Sequence, residues 1–170
     1  MVACCFLVSR FEAEYICSDD DFTILCGLFN ELAEPSLRTA SSESFTLFAP
    51  TDAAFDGQML ETLAAIPEAA TILNYHATAP GSVVEAEDLK CTGLVKMASG
   101  GMSRTKCMRN TETGLLEFYQ KGGGNRRNNL MPKIIKADIE TCNGVIHVVD
   151  KIMLPNFVGA MNLDNINVGK

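Results

Sequence analysis

Apolar residues along this chain follow two different periods. In the first half they recur every three to four positions. Phe22, Leu25, Cys26, Phe29 and Leu32 stand at helical spacing behind Ser18-Asp19-Asp20-Asp21. A small polar residue and carboxylates ahead of an apolar stripe are the chemistry of a helix N-terminus. The aspartate triplet lacks the alternating ligands and distal glutamate of a calcium loop, so it is read as a cap. Phe45, Leu47 and Ala49 then alternate with Thr46 and Phe48, a strand that stops at Pro50. Thr51 is expected to cap a short helix carrying Phe55, and a further helical piece runs through Leu60, Leu63 and Ile66. Pro67 fits the first turn of another helix, with Ala70, Leu73 and Asn74, leading into Tyr75-His76.

In the second half the period shortens to two. Leu94–Met97 and Ser103–Cys107 flank Ser99-Gly100-Gly101, which reads as a hairpin, and Leu115–Tyr119 is another strand. KGGGNRRNNL reads as a flexible, glycine-rich connection before strand character resumes from Lys133 to Ile139. The last strand lies in NGVIHVVDKIMLP: Asn143-Gly144 is a turn signal, and Pro155 ends the run. Val145, His147 and Val149 share one pleat face, while Ile146, Val148 and Asp150 share the other. Neither face is polar throughout, so this strand is expected to be covered on both sides. Helices crowding the first half and strands the second make an α+β layout, without an internal repeat or dividing linker.

At 170 residues, 47% hydrophobic and 21% charged, the chain suffices for one globular domain with a sizeable core. A net charge of -7 argues against a nucleic-acid partner, which needs a basic surface. No apolar run is long enough to span a bilayer. The N-terminal MVACCFLVSRFEAEY has a short apolar centre without a basic residue ahead of it. It is a poor secretory signal and suits a trimmed or processed piece.

The seven cysteines form no C-x-x-C pair, and only His76 and His147 are available to assist them, so no metal or cofactor is expected. Disulfides in an oxidising compartment are the better account of their number. Cys17 and Cys26 flank the acidic cap; Cys91 and Cys107 flank the hairpin, whose ends come together. Each pair is expected to bridge, with Cys142 able to compete for either hairpin cysteine and Cys4 and Cys5 left open. No G-x-S-x-G elbow occurs, and Cys142 and His147 lie five apart in a strand, where their side chains need not meet. No catalytic residue is therefore expected. Arg126 and Arg127 form a concentrated basic patch on an acidic chain, a contact for a polyanionic glycan or an acidic protein surface.

FTLFAPTDAAF (Phe45 to Phe55), Asn74-Tyr75-His76 and NGVIHVVDKIMLP together resemble the first conserved box, the tyrosine-histidine motif and the second conserved box of the fasciclin domain. The resemblance covers Phe22 to Pro155. It implies a wedge of β-strands packed with several helices, over 18–156 between an N-terminal extension (1–17) and a C-terminal tail (157–170). It also implies a non-enzymatic adhesion or matrix module, extracellular or at the cell surface, contacting protein or polysaccharide. The alternative is a structural accessory subunit, peripheral to a membrane-bound assembly such as the lumenal side of a photosynthetic complex. Each box is mainly a core strand with a turn, so Thr51, Tyr75, His76 and His147 are read as structural. His147 is expected to bond a backbone carbonyl, and His76 the last carbonyls of its helix. The family's integrin-recognition stretches have counterparts in Asp138-Ile139 and Tyr75-His76, but their flanks do not match.

Overall fold

Behind the Asn143-Gly144 turn, Gly144–Val149 forms β6, the centre of a three-stranded sheet. It runs parallel to β1 (Phe45–Pro50) and antiparallel to β5 (Ile134–Thr141). This computed structural model describes residues 11–33, 43–55 and 67–156. The parallel register sets Leu47 beside Ile146 and Phe48 beside His147. Gly144 must be glycine, because a Cβ there would collide with the Phe45 carbonyl.

The two faces of this sheet have separate covers. Helices α1 (Glu12–Cys17), α2 (Thr23–Leu32) and α3 (Ala69–Asn74) supply Ile16, Leu25, Phe29 and Ile72. These pack on Phe45, Leu47, Ala49, Ile146 and Val148. On the other face, Phe48 and Val149 join Tyr75, Leu89, Met97 and Met153 in a second core. That core is closed by a second, antiparallel sheet in the order β2 (Leu94–Lys96), β3 (Met102–Arg109), β4 (Leu116–Lys121). The result is an α+β wedge, and burial on both faces explains why β6 is apolar in consecutive positions.

The caps differ from the sequence reading. The Asp19 side chain accepts from Asp21 N and its carbonyl from Phe22 N, starting a 3-10 turn over Asp20–Phe22. The N-terminus of α2 is instead held from outside: Asp52 accepts from Thr23 N at 3.2 Å and Ile24 N at 2.9 Å. A carboxylate delivered by a neighbouring turn satisfies the same orphan donors as a local cap. The Thr51 side chain makes no capping bond; Thr51 instead receives Ala54 N through its carbonyl and donates its N–H to Val149 O. Thr51 is extended, because it continues the pairing of β1 with β6, and Phe55 follows the 3-10 turn Asp52–Ala54 instead of lying within it. Leu60, Leu63 and Ile66 lie outside the described residues.

The glycine-rich connection is packed, not flexible. Asn125 is buried, and its side chain fills its whole bonding capacity. It accepts from Gly122 N (3.0 Å) and Leu154 N (2.9 Å), and donates to Leu130 O (2.9 Å) and Ile152 O (3.0 Å). A Cβ on Gly122 would strike the Leu154 carbonyl and the Tyr75 ring. Close backbone approach therefore sets this glycine, and one asparagine tethers the loop to the end of the second box.

Both expected bridges are present: Cys17–Cys26 with S–S 2.00 Å and Cys91–Cys107 with S–S 2.04 Å. Cys142 is also disulfide-bonded.

Candidate functional site

The three signature segments, far apart in sequence, meet around the second core. The main-chain end of α3 aims His76 inward, where burial lowers its pKa to about 4, opposed by its bond to the Ile72 carbonyl. Nδ1 lies 2.8 Å from Ile72 O, and Nε2 accepts from Met153 N at 2.9 Å. The ring is neutral, and both nitrogens are engaged. Tyr75 beside it is equally buried. Its hydroxyl donates to Met102 O at 2.5 Å, and burial pushes its pKa up to about 12.

His147 is held in the same manner from β6. Nε2 is 2.9 Å from Val84 O and Nδ1 accepts from Asp138 N at 3.2 Å. Burial lowers its pKa, offset by the Val84 carbonyl and by the Asp138 carboxylate. Its ring lies 5.3 Å from that of Phe48, its partner in the parallel ladder. The segment over this ring is fastened by threonine as well: Thr46 Oγ1 both accepts from Val84 N and donates to Val84 O. Asp138 completes the clasp by accepting from Ala86 N at 2.8 Å. It does so from a left-handed backbone (φ 55°) at a register shift in β5, a conformation that aspartate tolerates better than most residues.

These groups organise main chain. Cys142 is disulfide-bonded, so it offers His147 no thiol. Among the described residues no cluster of three or more histidines, cysteines or carboxylates can hold a metal, and no helix is long and apolar enough to cross a membrane. Of the two integrin-motif counterparts, Tyr75 is buried, and the half-exposed Asp138 accepts from Ala86 N. Arg126 and Arg127 are exposed beyond the Asn125 tether. The main-chain contacts of Asp52, Asn125, Thr46 and Asp138 leave no periodic sequence signal, because the partners lie 28, 29, 38 and 52 positions away. For Asp52 the clue was its place directly after the strand-ending Pro50-Thr51.

One further buried group stands apart. Glu12 in α1 is fully buried, and neither carboxyl oxygen has a hydrogen-bond partner. Burial pushes its pKa up to about 7.

The fasciclin domain model matches residues 20–155. An uncharacterized protein of Synechocystis sp., sll1735, is 33% identical over 114 residues, covering 65% of this chain and 72% of the relative. A second Synechocystis protein, sll1483, is 32% identical over 117 residues, covering 65% of this chain and 55% of its own length. The solved structure of a FAS1 domain pair from the insect cell adhesion molecule fasciclin I superposes with a TM-score of 0.52 at 14% identity. That match covers 84% of this chain and 44% of the other, and at such identity it speaks for the fold alone.

Proposed function

The chain belongs to the fasciclin domain family, and on that premise we propose that it is a non-enzymatic binding module of adhesion or matrix type, contacting protein or polysaccharide. The observation that carries this reading is the state of the signature histidines. Both are buried with lowered pKa values, and all four ring nitrogens bond to main-chain groups. Function is thereby left to the surface. The two bridges fit an extracellular or otherwise oxidising compartment.

A groove between the ends of β4 and β5 supports a second reading. It is lined by Leu115, Leu116, Phe118 and Ile135, three of them exposed large apolar side chains. Such a groove suits an accessory subunit docked on a larger membrane-bound assembly. Crosslinking in native extract, followed by mass spectrometry and size-exclusion chromatography, tests both. A matrix or cell-surface partner supports the module; a stoichiometric complex supports the subunit. A chain that stays monomeric and uncaptured in its own extract would overturn both.

A further inference from the structure

The outward face of the second sheet is cationic, and its charges come from three strands. Arg104 stands directly opposite Lys121 in the β3–β4 ladder. Lys106, two residues along β3, shares their face, as do Lys96 and Met102, which pair with each other, and Leu94, which pairs with Arg104. The opposite face carries the buried Ser103, Thr105 and Gln120, so this one looks to solvent. Lys106 Nζ donates to Asn128 Oδ1 at 3.3 Å, which draws the loop bearing Arg126 and Arg127 alongside.

Glu117, which pairs with Met108 at the far end of this face, is taken up by Lys133, and among the described residues no carboxylate pairs with Lys96, Arg104, Lys106 or Lys121. The ion pairs among the described residues are Lys133–Glu117 and Lys151–Asp150, neither of which includes these four cations. The Arg104 guanidinium donates to the Thr92 carbonyl instead. The Lys121 amine is lowered from its ordinary range, first by burial and then by Lys106 and Arg104. Like charges directly opposite in a ladder destabilise a sheet. A chain with 21 acidic residues had carboxylates to place there. Local conflicts of this kind concentrate where a protein meets its ligand.

We propose that this face binds a linear acidic polysaccharide, one that repeats sulfate or carboxylate groups along its length. The inference rests on the binding-module reading and names the partner class. Lys96, Arg104 and Lys121 make a track across three strands, about 10 Å wide at the usual strand spacing, which Arg126 and Arg127 prolong. An extended polyanion needs such a row of charges and no pocket. A bilayer is the poorer fit: the chain has no tryptophan, and only Leu94 and Met102 stand as exposed large apolar groups on this face. An acidic protein is a poorer fit as well, because lysine is depleted from protein–protein interfaces and three of the four cations that these strands place on this face, Lys96, Lys106 and Lys121, are lysines.

The test titrates the full chain, disulfides intact, with dextran sulfate and polygalacturonate, using neutral dextran and anionic phospholipid vesicles as comparators. Binding to the charged polymers should weaken steeply with added salt, and dextran should not bind. K96Q/R104Q/K121Q should weaken binding by about tenfold or more and flatten the salt dependence. Its melting temperature should be no lower than wild type, because a like-charge pair is removed. Lys151→Gln, at a lysine paired with Asp150, should bind as wild type does. Equal binding by the triple variant, no binding to either charged polymer, or binding to vesicles alone would each overturn the proposal. If crosslinking still captures a protein partner in that event, the module reading stands and only the polyanion track falls.

Discussion

The Met153 N–H donates to Nε2 of His76 at 2.9 Å, across 77 positions of chain. Because Nδ1 faces the Ile72 carbonyl, one tautomer satisfies both partners: Nδ1 donates and Nε2 accepts. A second proton on Nε2 would point at the Met153 N–H and break the join between α3 and the end of the second box.

Acid should therefore weaken the fold through His76. Its folded pKa, about 4, lies below the ordinary 6.5, so the unfolded chain binds the proton first. This contribution is complete above pH 6.5 and declines as pH falls toward 4, by roughly 3 kcal/mol in all. Denaturant melts from pH 7.5 to 4.5 read it. A His76→Gln variant with the same pH slope as wild type would refute the assignment.

Glu12 should act in the opposite direction. Its folded pKa is raised from 4.5 to about 7, so its contribution is full below pH 4.5 and lost as pH rises through 7. Glu12→Gln should be more stable than wild type at pH 8, by roughly 2 kcal/mol, and similar at pH 4.5. It should also steepen the acid decline due to His76, because the two windows overlap with opposite sign. A variant less stable at pH 8 would show that the carboxylate has a favourable partner.

His147→Ala removes a packed ring, leaves the Asp138 N–H without its partner and leaves the Val84 carbonyl with Thr46 Oγ1 alone. The expected loss is on the order of 2 to 4 kcal/mol, with partner binding retained by the folded fraction. Full stability together with selective loss of binding would make His147 a contact residue.

Asn125 and its two following arginines should separate cleanly. Asn125→Ala deletes four bonds to main chain and should cost on the order of 3 kcal/mol. Replacing Arg126 and Arg127 with serine should change the melting temperature little while weakening association with an acidic partner and reducing its salt dependence. Unchanged affinity at low salt would remove the arginines from the contact surface.

Reduction should lower the melting temperature visibly, because closing the Cys91–Cys107 loop, with a sequence separation of 16, contributes roughly 3 kcal/mol in the chain-entropy model. Non-reducing peptide mapping should recover Cys17–Cys26, Cys91–Cys107 and a third bridged peptide containing Cys142. Seven alkylatable thiols in native protein would contradict the bridges and the oxidising compartment together.

The sequence by itself determined the parts whose signals are local. The strand in the second box, the hairpin around Ser99-Gly100-Gly101, the helix behind the aspartates and both described bridges follow from periods, turn residues and short cysteine spacings. Those features depend on neighbours within a few residues or across one turn. Tertiary structure decided the rest. Whether Asp19 or Asp52 caps α2, whether a glycine-rich loop is slack or pinned by Asn125, and whether scattered Lys96, Arg104, Lys106 and Lys121 share a face all turn on which strands and turns are brought together. A hydrogen bond or a like-charge ladder pair between distant positions leaves no periodic trace in sequence, because its energy arises only once the chain has closed the intervening loop.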